Sequence, residues 1–341
     1  MEKDGSYYDR ALSSSFSQLI EEHGQLRWLF DFVKEQDDLD FLIGKNKTGK
    51  NQTKEWISVY RGLTRLISIS KRRTPDAIKI DADDSYKKIE PDLYGNDIPV
   101  TKNFKFLLSD LLNKVRKNEK FDRYYNNKKE GYYQNKLSRK YGINGSSDSD
   151  FVIVDKEAVI GYESEECKNA IFGECQKKYK ELQKEISIDH KKYGKDLEKK
   201  SIGNELDFIA VDKTGNILLI EYKHGTNTAG IYLSPLQIGL YYDLFTKFDR
   251  KTLDESILSQ IEQKQKIGLI NPDWKIPEKL KDIIPVLIIS EYNYRSAAKS
   301  NYNEIMGICK NKLGNNFLKN IRTYNYTTDE LTDWKNEVDN T

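Results

Sequence analysis

Three charged residues, Asp207, Glu221 and Lys223, stand out because two otherwise apolar segments carry them. A buried charge is costly unless it is paired or bound to a metal ion, and two adjacent carboxylates repel each other. A divalent cation removes both penalties, and Mg²⁺ binds through one or two carboxylates while it keeps water and substrate phosphate oxygens. Such an ion activates water at a phosphorus centre, and the Lys223 ammonium would stabilise charge and orient that water. The three side chains therefore predict phosphoester hydrolysis with Mg²⁺ or Mn²⁺ as the cofactor.

Two β-strands joined by a tight turn would position these charges. The runs 206–211 and 217–223 are mostly apolar, and Gly215 between them suits the positive φ of a hairpin turn. Pairing of Val211 with Ile217 places the aspartate opposite the glutamate. Because strand side chains alternate between the two faces of a sheet, the lysine then shares their face.

The same residues resemble the PD-(D/E)XK nuclease superfamily, which has the restriction-endonuclease-like fold. Its members carry Asp in one strand, a hairpin, and then (D/E)-x-K in the next strand, which reads here as Asp207 and Glu221-Tyr222-Lys223. Many members add Gln-x-x-x-Tyr on the following helix, and the segment from Gln237 to Tyr241 is similar. Leu206 stands where the family often has Pro, and the specific part of the resemblance spans about residues 205–241.

The resemblance implies metal-dependent hydrolysis of phosphodiester bonds, with DNA favoured over RNA as the substrate. The Asp and Glu carboxylates and the Tyr222 carbonyl would hold Mg²⁺ or Mn²⁺. Gln237 and Tyr241 would orient Lys223 or the scissile phosphate. A role in bacterial restriction or phage defence follows from the resemblance alone.

The sequence predicts how this last helix begins. Ser234-Pro235 is a favourable start, with Ser as the N-cap and Pro as the first helical residue. Gln237 and Tyr241 would then lie on one helix face. The preceding residues, from His224 to Gly230, read as a Gly-rich loop through which the backbone could approach a substrate closely. His224 is either a contact to substrate phosphate or a polar residue at the end of a strand.

The family usually supplies a further Glu from a helix that precedes the Asp strand. The apolar spacing from Glu165 to Ile186 predicts a helix, and Glu185 lies nearest to the edge of its apolar stripe, before Glu174 and Glu181. Glu185 is therefore the predicted additional metal ligand, with a solvated helix charge as the alternative. Glu205 is another candidate, because it would share a strand face with the aspartate.

The segment from Leu111 to Tyr141 is basic and rich in tyrosine, with ten Lys or Arg residues against three acids. Lys and Arg neutralise phosphates, and aromatic faces stack on exposed bases. The segment predicts a nucleic-acid interface, and a solvated basic helix with structural tyrosines is the alternative. The predicted nucleic-acid contacts are Lys128, Lys129, Arg139, Lys140, His224 and Tyr241.

The Gly- and Ser-rich run 142–150 reads as a linker. Residues 1–145 are therefore expected to form an N-terminal recognition or partner-binding domain of mainly helical or mixed structure. Residues 1 to about 60 read as helices, with a polar loop at 45–54 and a solvated acidic run at 37–40. Residues 146–341 are expected to form an α/β nuclease domain, a mixed central sheet flanked by helices.

Composition sets limits on partners and location. The net charge is +2 over 341 residues, so any surface for nucleic acid must be local. Three cysteines without metal-type spacing fit a reducing cytoplasm, and no apolar run approaches the length of a membrane span. A homodimer or a partner subunit is left open. Two other functions stay open as well: a non-catalytic nucleic-acid-binding or scaffolding module, and an enzyme that uses the two carboxylates as general acid and base.

Overall fold

The computed structural model describes residues 5–48, 52–72, 74, 76–118, 121, 125, 127–199, 205–327 and 330–334. The chain has a mixed α/β fold and divides into two compact units. The first consists of Met1–Tyr8, Ile153–Asp254 and Pro277–Thr341, and the second of Asp9–Val152 and Glu255–Ile276. We call them the six-stranded unit and the five-stranded unit after their largest sheets.

The strands and helices are numbered in chain order. The strands are β1 (Ser6–Tyr7), β2 (Asp40–Thr48), β3 (Gln52–Arg61), β4 (Thr64–Lys71), β5 (Ala77–Asp81), β6 (Gly95–Pro99), β7 (Phe151–Ala158), β8 (Gly161–Tyr162), β9 (Leu206–Asp212), β10 (Ile217–His224), β11 (Ile283–Ser290), β12 (Arg322–Thr327) and β13 (Glu330–Asp333). The helices are α1 (Ser14–Ser17), α2 (Arg27–Lys34), α3 (Asp84–Lys87), α4 (Lys105–Lys117), α5 (Glu130–Lys140), α6 (Glu165–Lys168), α7 (Glu174–Asp189), α8 (Lys191–Lys199), α9 (Thr228–Thr246), α10 (Arg250–Ile267) and α11 (Ala298–Leu313). A 3₁₀ turn covers Pro91–Leu93, and a π-helical turn, Asn169–Gly173, joins α6 to α7.

The six-stranded sheet has the order β13-β12-β11-β10-β9-β7. Strands β10, β11 and β12 run parallel, whereas β9 and β13 are antiparallel to their neighbours β10 and β12. Every residue of β10 is buried, which explains its nearly continuous apolar sequence. Helix α9 packs against β10 and β11 and also contacts α7 and α11. The sheet is therefore mixed in direction, with its central strands covered.

The β9–β10 hairpin confirms the predicted turn and register. Val211 pairs with Ile217, and Gly215 in the turn has a φ of +93°. Asp212 stabilises the turn, because its carboxylate accepts hydrogen bonds from the backbone N–H groups of Thr214 and Asn216 at 3.0 and 2.9 Å. Burial alone would raise the pKa of Asp212, but these and further hydrogen bonds lower it overall. The turn residues thus fix the strand alignment on which the site depends.

The five-stranded sheet is an antiparallel meander in the order β2-β3-β4-β5-β6. Apolar side chains of this sheet and of the adjoining helices form one core, which includes Phe41, Ile57, Ile69 and Ile78. The prediction of helices up to residue 60 was therefore wrong beyond α2, since β2 and β3 occupy most of that stretch. The predicted loop at 45–54 falls largely within these two strands, and residues 49–51 lie outside the described part.

The two units divide the chain differently from the expected boundary at 145/146. Residues 1–8 and 255–276 each belong to the unit on the other side of it. The second segment joins the five-stranded unit because Ile267 and Leu269 enter its core. Arg27 also donates a hydrogen bond from Nη1 to the Ile267 carbonyl at 2.8 Å. The composition of a linker shows where a polar segment lies. It does not show that a later segment, residues 255–276, packs into the unit that precedes the linker.

Most predicted elements after residue 160 are confirmed. The apolar run 283–290 is β11, and the helical patterns near 165–186, 253–267 and 297–313 correspond to α6 to α7, α10 and α11. The final strand begins at Arg322 rather than 318, and β13 was missed. None of the helices in the described ranges is both long enough and apolar enough to cross a membrane.

Candidate active site

Asp207 and Glu221 face each other across the β9–β10 ladder. The register, with Ile220 opposite Phe208, continues to place the two carboxylates on paired positions. The Glu221 side chain is fully buried, whereas the Asp207 side chain is 22% exposed. Asp207 accepts a hydrogen bond at Oδ2 from the Tyr222 backbone N–H at 2.7 Å, which fixes its orientation. Solvent therefore reaches the pair from the Asp207 side.

The Lys223 ammonium lies among three oxygen atoms, one from each carboxylate of this pair and one from the backbone. Its Nζ donates a hydrogen bond to Glu221 Oε1 and another to the Tyr222 carbonyl oxygen at 3.0 Å. It also lies 3.9 Å from Asp207 Oδ2. We call Asp207, Glu221 and Lys223 the acidic cluster, because its two carboxylates outnumber its single ammonium.

The oxygen atoms around Nζ are the kind that Mg²⁺ and Mn²⁺ prefer, two carboxylates and a carbonyl. The ammonium itself marks a position where positive charge is favourable. Within the described ranges, no group of three or more His, Cys, Asp or Glu side chains could hold a metal ion. Two carboxylates still suffice for Mg²⁺, which commonly completes its shell with water and substrate phosphate oxygens. The donor set thus fits an ion that binds together with a phosphate substrate.

Helix α9 brings Tyr241 and Gln237 to the acidic cluster. Burial raises the pKa of Tyr241, and the Glu221 and Asp207 carboxylates raise it further, whereas Gln237 acts in the opposite direction. The neutral phenol is therefore strongly favoured beside the two carboxylates. Gln237, one turn earlier, is half-buried, while the residues on either side of it in α9 are buried. The two predicted helix residues thus share the face that approaches the site.

The start of α9 differs from the prediction. The helix begins at Thr228, and Asn227 is its N-cap, with Oδ1 accepting a hydrogen bond from the Gly230 N–H at 2.9 Å. Pro235 lies inside the helix and has no N–H for the carbonyl of Ile231. The Ser234 hydroxyl donates to that carbonyl at 2.7 Å instead, which explains how the helix tolerates the proline.

His224 lies apart from the acidic cluster. It is the next residue along β10 after Lys223, so its side chain points to the opposite face of the sheet. The ring is buried, and its Nδ1 lies 2.9 Å from the Thr226 hydroxyl. This contact shapes the turn into α9, which matches the reading of His224 as a polar residue at a strand end.

The structure does not bring Glu185 to the acidic cluster. Its carboxylate accepts a hydrogen bond from Lys312 Nζ on α11 at 3.0 Å, and its side chain is 53% exposed. Glu174 and Glu181, the other candidates on this helix, are exposed as well. Glu205 is exposed immediately before β9, and its charge contributes to the raised pKa of Tyr241. Glu205 is therefore the better placed of the accessory carboxylates considered.

The basic segment contains residues of different kinds. Lys128 and Lys129 are exposed, so their side chains are accessible to an anionic partner. Arg139 is 4% exposed, and its guanidinium donates to backbone carbonyls at the end of α2 and just beyond it. Lys140 is half-buried, with Nζ 5.5 Å from the centre of the Tyr141 ring. Arg139 thus has a structural role that excludes a direct phosphate contact.

Two polar residues of β12 were missed by the sequence analysis. Thr323 pairs with Leu287, and Asn325 pairs with Ile289, so both lie on the sheet face of the acidic cluster. Both are buried. The sequence does carry a pattern that could have indicated them, because the two polar residues alternate with Tyr324 and Tyr326.

Comparisons of the chain with models of known protein families, with curated proteins and with solved structures found no match. The chemistry of the site is therefore inferred from its own residues. These are an acidic pair with one buried and one partly exposed member, a lysine held against it, and a helix that supplies an amide and a phenol.

Proposed function

We propose that this protein is a metal-dependent nuclease that hydrolyses phosphodiester bonds, with DNA the favoured substrate. The observation that carries the proposal is the Lys223 ammonium held between two facing carboxylates and a backbone carbonyl. The resemblance of this sequence to the Asp, hairpin and (D/E)-x-K pattern of PD-(D/E)XK nucleases supports the same function. A role in restriction or phage defence is part of this proposal and follows from the same resemblance.

Each residue of the site has a defined task in this proposal. Asp207, Glu221 and the Tyr222 carbonyl would hold Mg²⁺ or Mn²⁺, which when bound lowers the pKa of water and neutralises phosphate charge. Lys223 would hold the attacking water and stabilise the charge that develops on the phosphate oxygens. Gln237 would donate its amide hydrogens to a phosphate oxygen or to the water.

The supporting residues keep this arrangement fixed. The Tyr222 N–H holds the Asp207 carboxylate, so that carboxylate does not have to reorganise when a cation binds. Tyr241 is neutral, as tyrosines ordinarily are near pH 7, and burial and the nearby carboxylates raise its pKa further, so its hydroxyl adds no negative charge to the acidic pair. Positioning of this kind, together with electrostatic stabilisation, supplies almost all of the acceleration in phosphoryl transfer.

Burial of Glu221 argues against the general acid–base alternative. A glycosidase-type mechanism needs both carboxyl groups to reach the substrate across a cleft. Glu221 is fully buried, and its carboxylate is bonded to Lys223. The non-catalytic binding module remains the second candidate, because exposed Lys128 and Lys129 could serve binding without cleavage.

Digestion of linear, circular and single-stranded DNA, and of RNA, with Mg²⁺, Mn²⁺ or EDTA tests the proposal. We expect cleavage with either ion, none with EDTA, and a loss of about 10³-fold or more in Lys223→Ala, since a positioned cation on phosphoryl oxygens is worth that much. Lys319→Ala, at an exposed lysine, is the matched control and should cleave normally. Binding of nucleic acid that ignores divalent ions, without cleavage by folded protein, would favour the binding module.

A further inference from the structure

An exposed tyrosine follows the strand next to the acidic cluster. Tyr294 is 49% exposed and lies shortly after β11, which runs parallel to β10. The ends of parallel strands lie at the same edge of a sheet, and Lys223 is close to the end of β10. Tyr294 and the acidic cluster therefore share one edge of the six-stranded sheet.

A hydrogen bond ties Tyr294 to the sheet face of the cluster. Asn325 donates from Nδ2 to the Tyr294 hydroxyl at 3.3 Å. Asn325 pairs with Ile289, and Ile289 pairs with Lys223, so the three residues form one row across the sheet. Neighbouring strands are about 4.8 Å apart, which puts Asn325 about 10 Å from Lys223 between Cα atoms. The Tyr294 hydroxyl is therefore anchored two strands away from Lys223, on the same face of the sheet.

The loops that follow β10 and β11 are also packed backbone against backbone. The Gly225 N–H donates to the Ser290 carbonyl at 2.6 Å. A Cβ at Gly225 would lie 1.9 Å from the Glu291 carbonyl oxygen, so this contact requires glycine. The loop that carries Tyr294 is thus held in place by the residue just after the active-site strand.

Other aromatic rings support the Tyr294 ring. Tyr292 meets it edge to face, with ring centres 5.1 Å apart, and Tyr292 in turn packs against Trp334 at 5.3 Å. Tyr292 and Trp334 are buried. The ring of Tyr294 is therefore presented in a fixed orientation, which reduces the entropy lost when a ligand stacks on it. Arg295, the next residue, is exposed and adds positive charge.

We propose that Tyr294 is a stacking platform for an unpaired base next to the cleaved phosphodiester. This inference rests on the proposed nuclease function and names its substrate class: nucleic acid that is single-stranded or locally unpaired at the cleavage site. An aromatic face stacks on any base that is free of its partner, whereas a base inside a duplex cannot reach it. Arg295 would contact the adjoining phosphate.

Binding by the Lys223→Ala protein, which is not expected to cleave, tests this assignment. Tyr294→Ala, Tyr294→Phe and Tyr294→Trp are compared on that background. The oligonucleotides carry 2-aminopurine, either unpaired or within a complete duplex. Fluorescence titration gives the affinity, and its quenching reports stacking of the base.

Loss of one stacked base should weaken binding of the single strand about tenfold in Tyr294→Ala and abolish the quenching. Duplex affinity should change less than twofold, and Phe or Trp should retain quenching. Phe106→Ala, at an exposed aromatic residue of the five-stranded unit, is the control and should change neither substrate. Circular dichroism establishes that each variant is folded.

Equal effects on both substrates, or no effect of Tyr294→Ala, would contradict the stacking role. If wild-type protein cleaves nucleic acid in that case, the proposed function stands and this inference alone fails. Wild-type protein that neither binds nor cleaves any nucleic acid would contradict both.

Discussion

The two units each hold a cluster of charges, and the proportions of positive and negative charge are opposite. In the acidic cluster of the six-stranded unit, two carboxylates face one ammonium. In the five-stranded unit, a single carboxylate lies between two guanidinium groups, which we call the Asp38 cluster: Asp38, Arg61 and Arg116. Asp38 Oδ2 accepts hydrogen bonds from Arg61 Nε at 2.8 Å and from Arg116 Nε at 2.9 Å.

The surplus charge is treated differently in the two clusters. Arg116 is 35% exposed, so the extra positive charge of the Asp38 cluster reaches water. Arg61 is covered by the Tyr125 ring, which lies 4.2 Å from its guanidinium carbon and favours a cation. The surplus negative charge of the acidic cluster is shared with Glu221, which has no exposed surface. In the Asp38 cluster, water and the Tyr125 ring accommodate the extra positive charge, so the cluster can serve stability. The acidic cluster has too little positive charge, so it is suited to binding a cation.

The largest effect is expected from removal of the minority charge in the Asp38 cluster. Asp38→Asn leaves two guanidinium groups beside each other without their carboxylate. The cost should be about 3 kcal/mol, because Arg61 is buried while Arg116 keeps access to water. Urea unfolding measured by circular dichroism gives the free energy of unfolding. Asp84→Asn, at a largely exposed carboxylate of the same unit, is the control and should change it by less than about 0.5 kcal/mol. Similar values for the two variants would remove the structural role of the cluster.

Divalent ions should stabilise the acidic cluster and leave the Asp38 cluster unchanged. An ion that binds the folded state at 100 times its Kd adds about 2.7 kcal/mol to the free energy of unfolding. Thermal unfolding of wild-type protein in Mg²⁺, Mn²⁺ or EDTA measures this gain, and Asp207→Asn should abolish it. Amide hydrogen exchange should show added protection in β9 and β10. Equal protection in β3 and α4 would indicate nonspecific salt effects.

Acid should weaken the Asp38 cluster. Burial alone would raise the pKa of Asp38, but hydrogen bonds from Arg116 and Arg61 outweigh it and hold the pKa below its ordinary value. A carboxyl group with a lowered pKa contributes stability above its unfolded pKa of about 3.9, and this contribution is lost as pH falls through the folded value. The free energy of unfolding, measured in urea between pH 7 and pH 3, should therefore decrease once the pH is below about 4. The decrease should be steeper for wild-type protein than for Asp38→Asn. Parallel curves would show that Asp38 is not the group responsible.

The smallest effect has the opposite sign. Asp207→Asn removes one of two facing carboxylates, and the amide oxygen can still accept the Tyr222 N–H. Without divalent ions, the free energy of unfolding should stay the same or rise by up to about 1 kcal/mol, since facing like charges are destabilising by that order. Cleavage should nevertheless be lost. A fall of several kcal/mol in EDTA would mean that Asp207 is needed for folding, as Asp38 is.

The sequence was sufficient for the acidic cluster because its geometry is local. A hairpin of fixed length and a period of two place Asp207 opposite Glu221, and the structure has that register. Glu185 could not be located in the same way. Its environment depends on α11, which is distant in sequence and supplies Lys312. A helix-face argument shows which side chains are near the core without showing which neighbour they meet.

The same limit applies to the five-stranded unit. The acidic run around Asp38 reads as solvated because its partners Arg61 and Arg116 are far along the chain. Arg139 reads as a phosphate contact because composition does not distinguish an exposed arginine from one that donates to the Leu39 carbonyl. The polar residues of β2 and β3 favoured a loop at 45–54, although backbone pairing makes that stretch a strand pair.

The path of the chain between the units has a consequence for synthesis. The five-stranded unit needs Ile267 and Leu269 for its core, yet more than a hundred residues of the other unit separate them from Val152. At about 5–20 residues per second, a ribosome delivers these side chains on the order of ten seconds after the N-terminal part has emerged. During that interval the nascent sheet lacks part of its apolar covering. The exposed apolar surface makes it prone to aggregation and a target for chaperone binding. A chain truncated at the linker, residues 142–150, would lack Ile267 and Leu269, so the core of the five-stranded unit would stay incomplete.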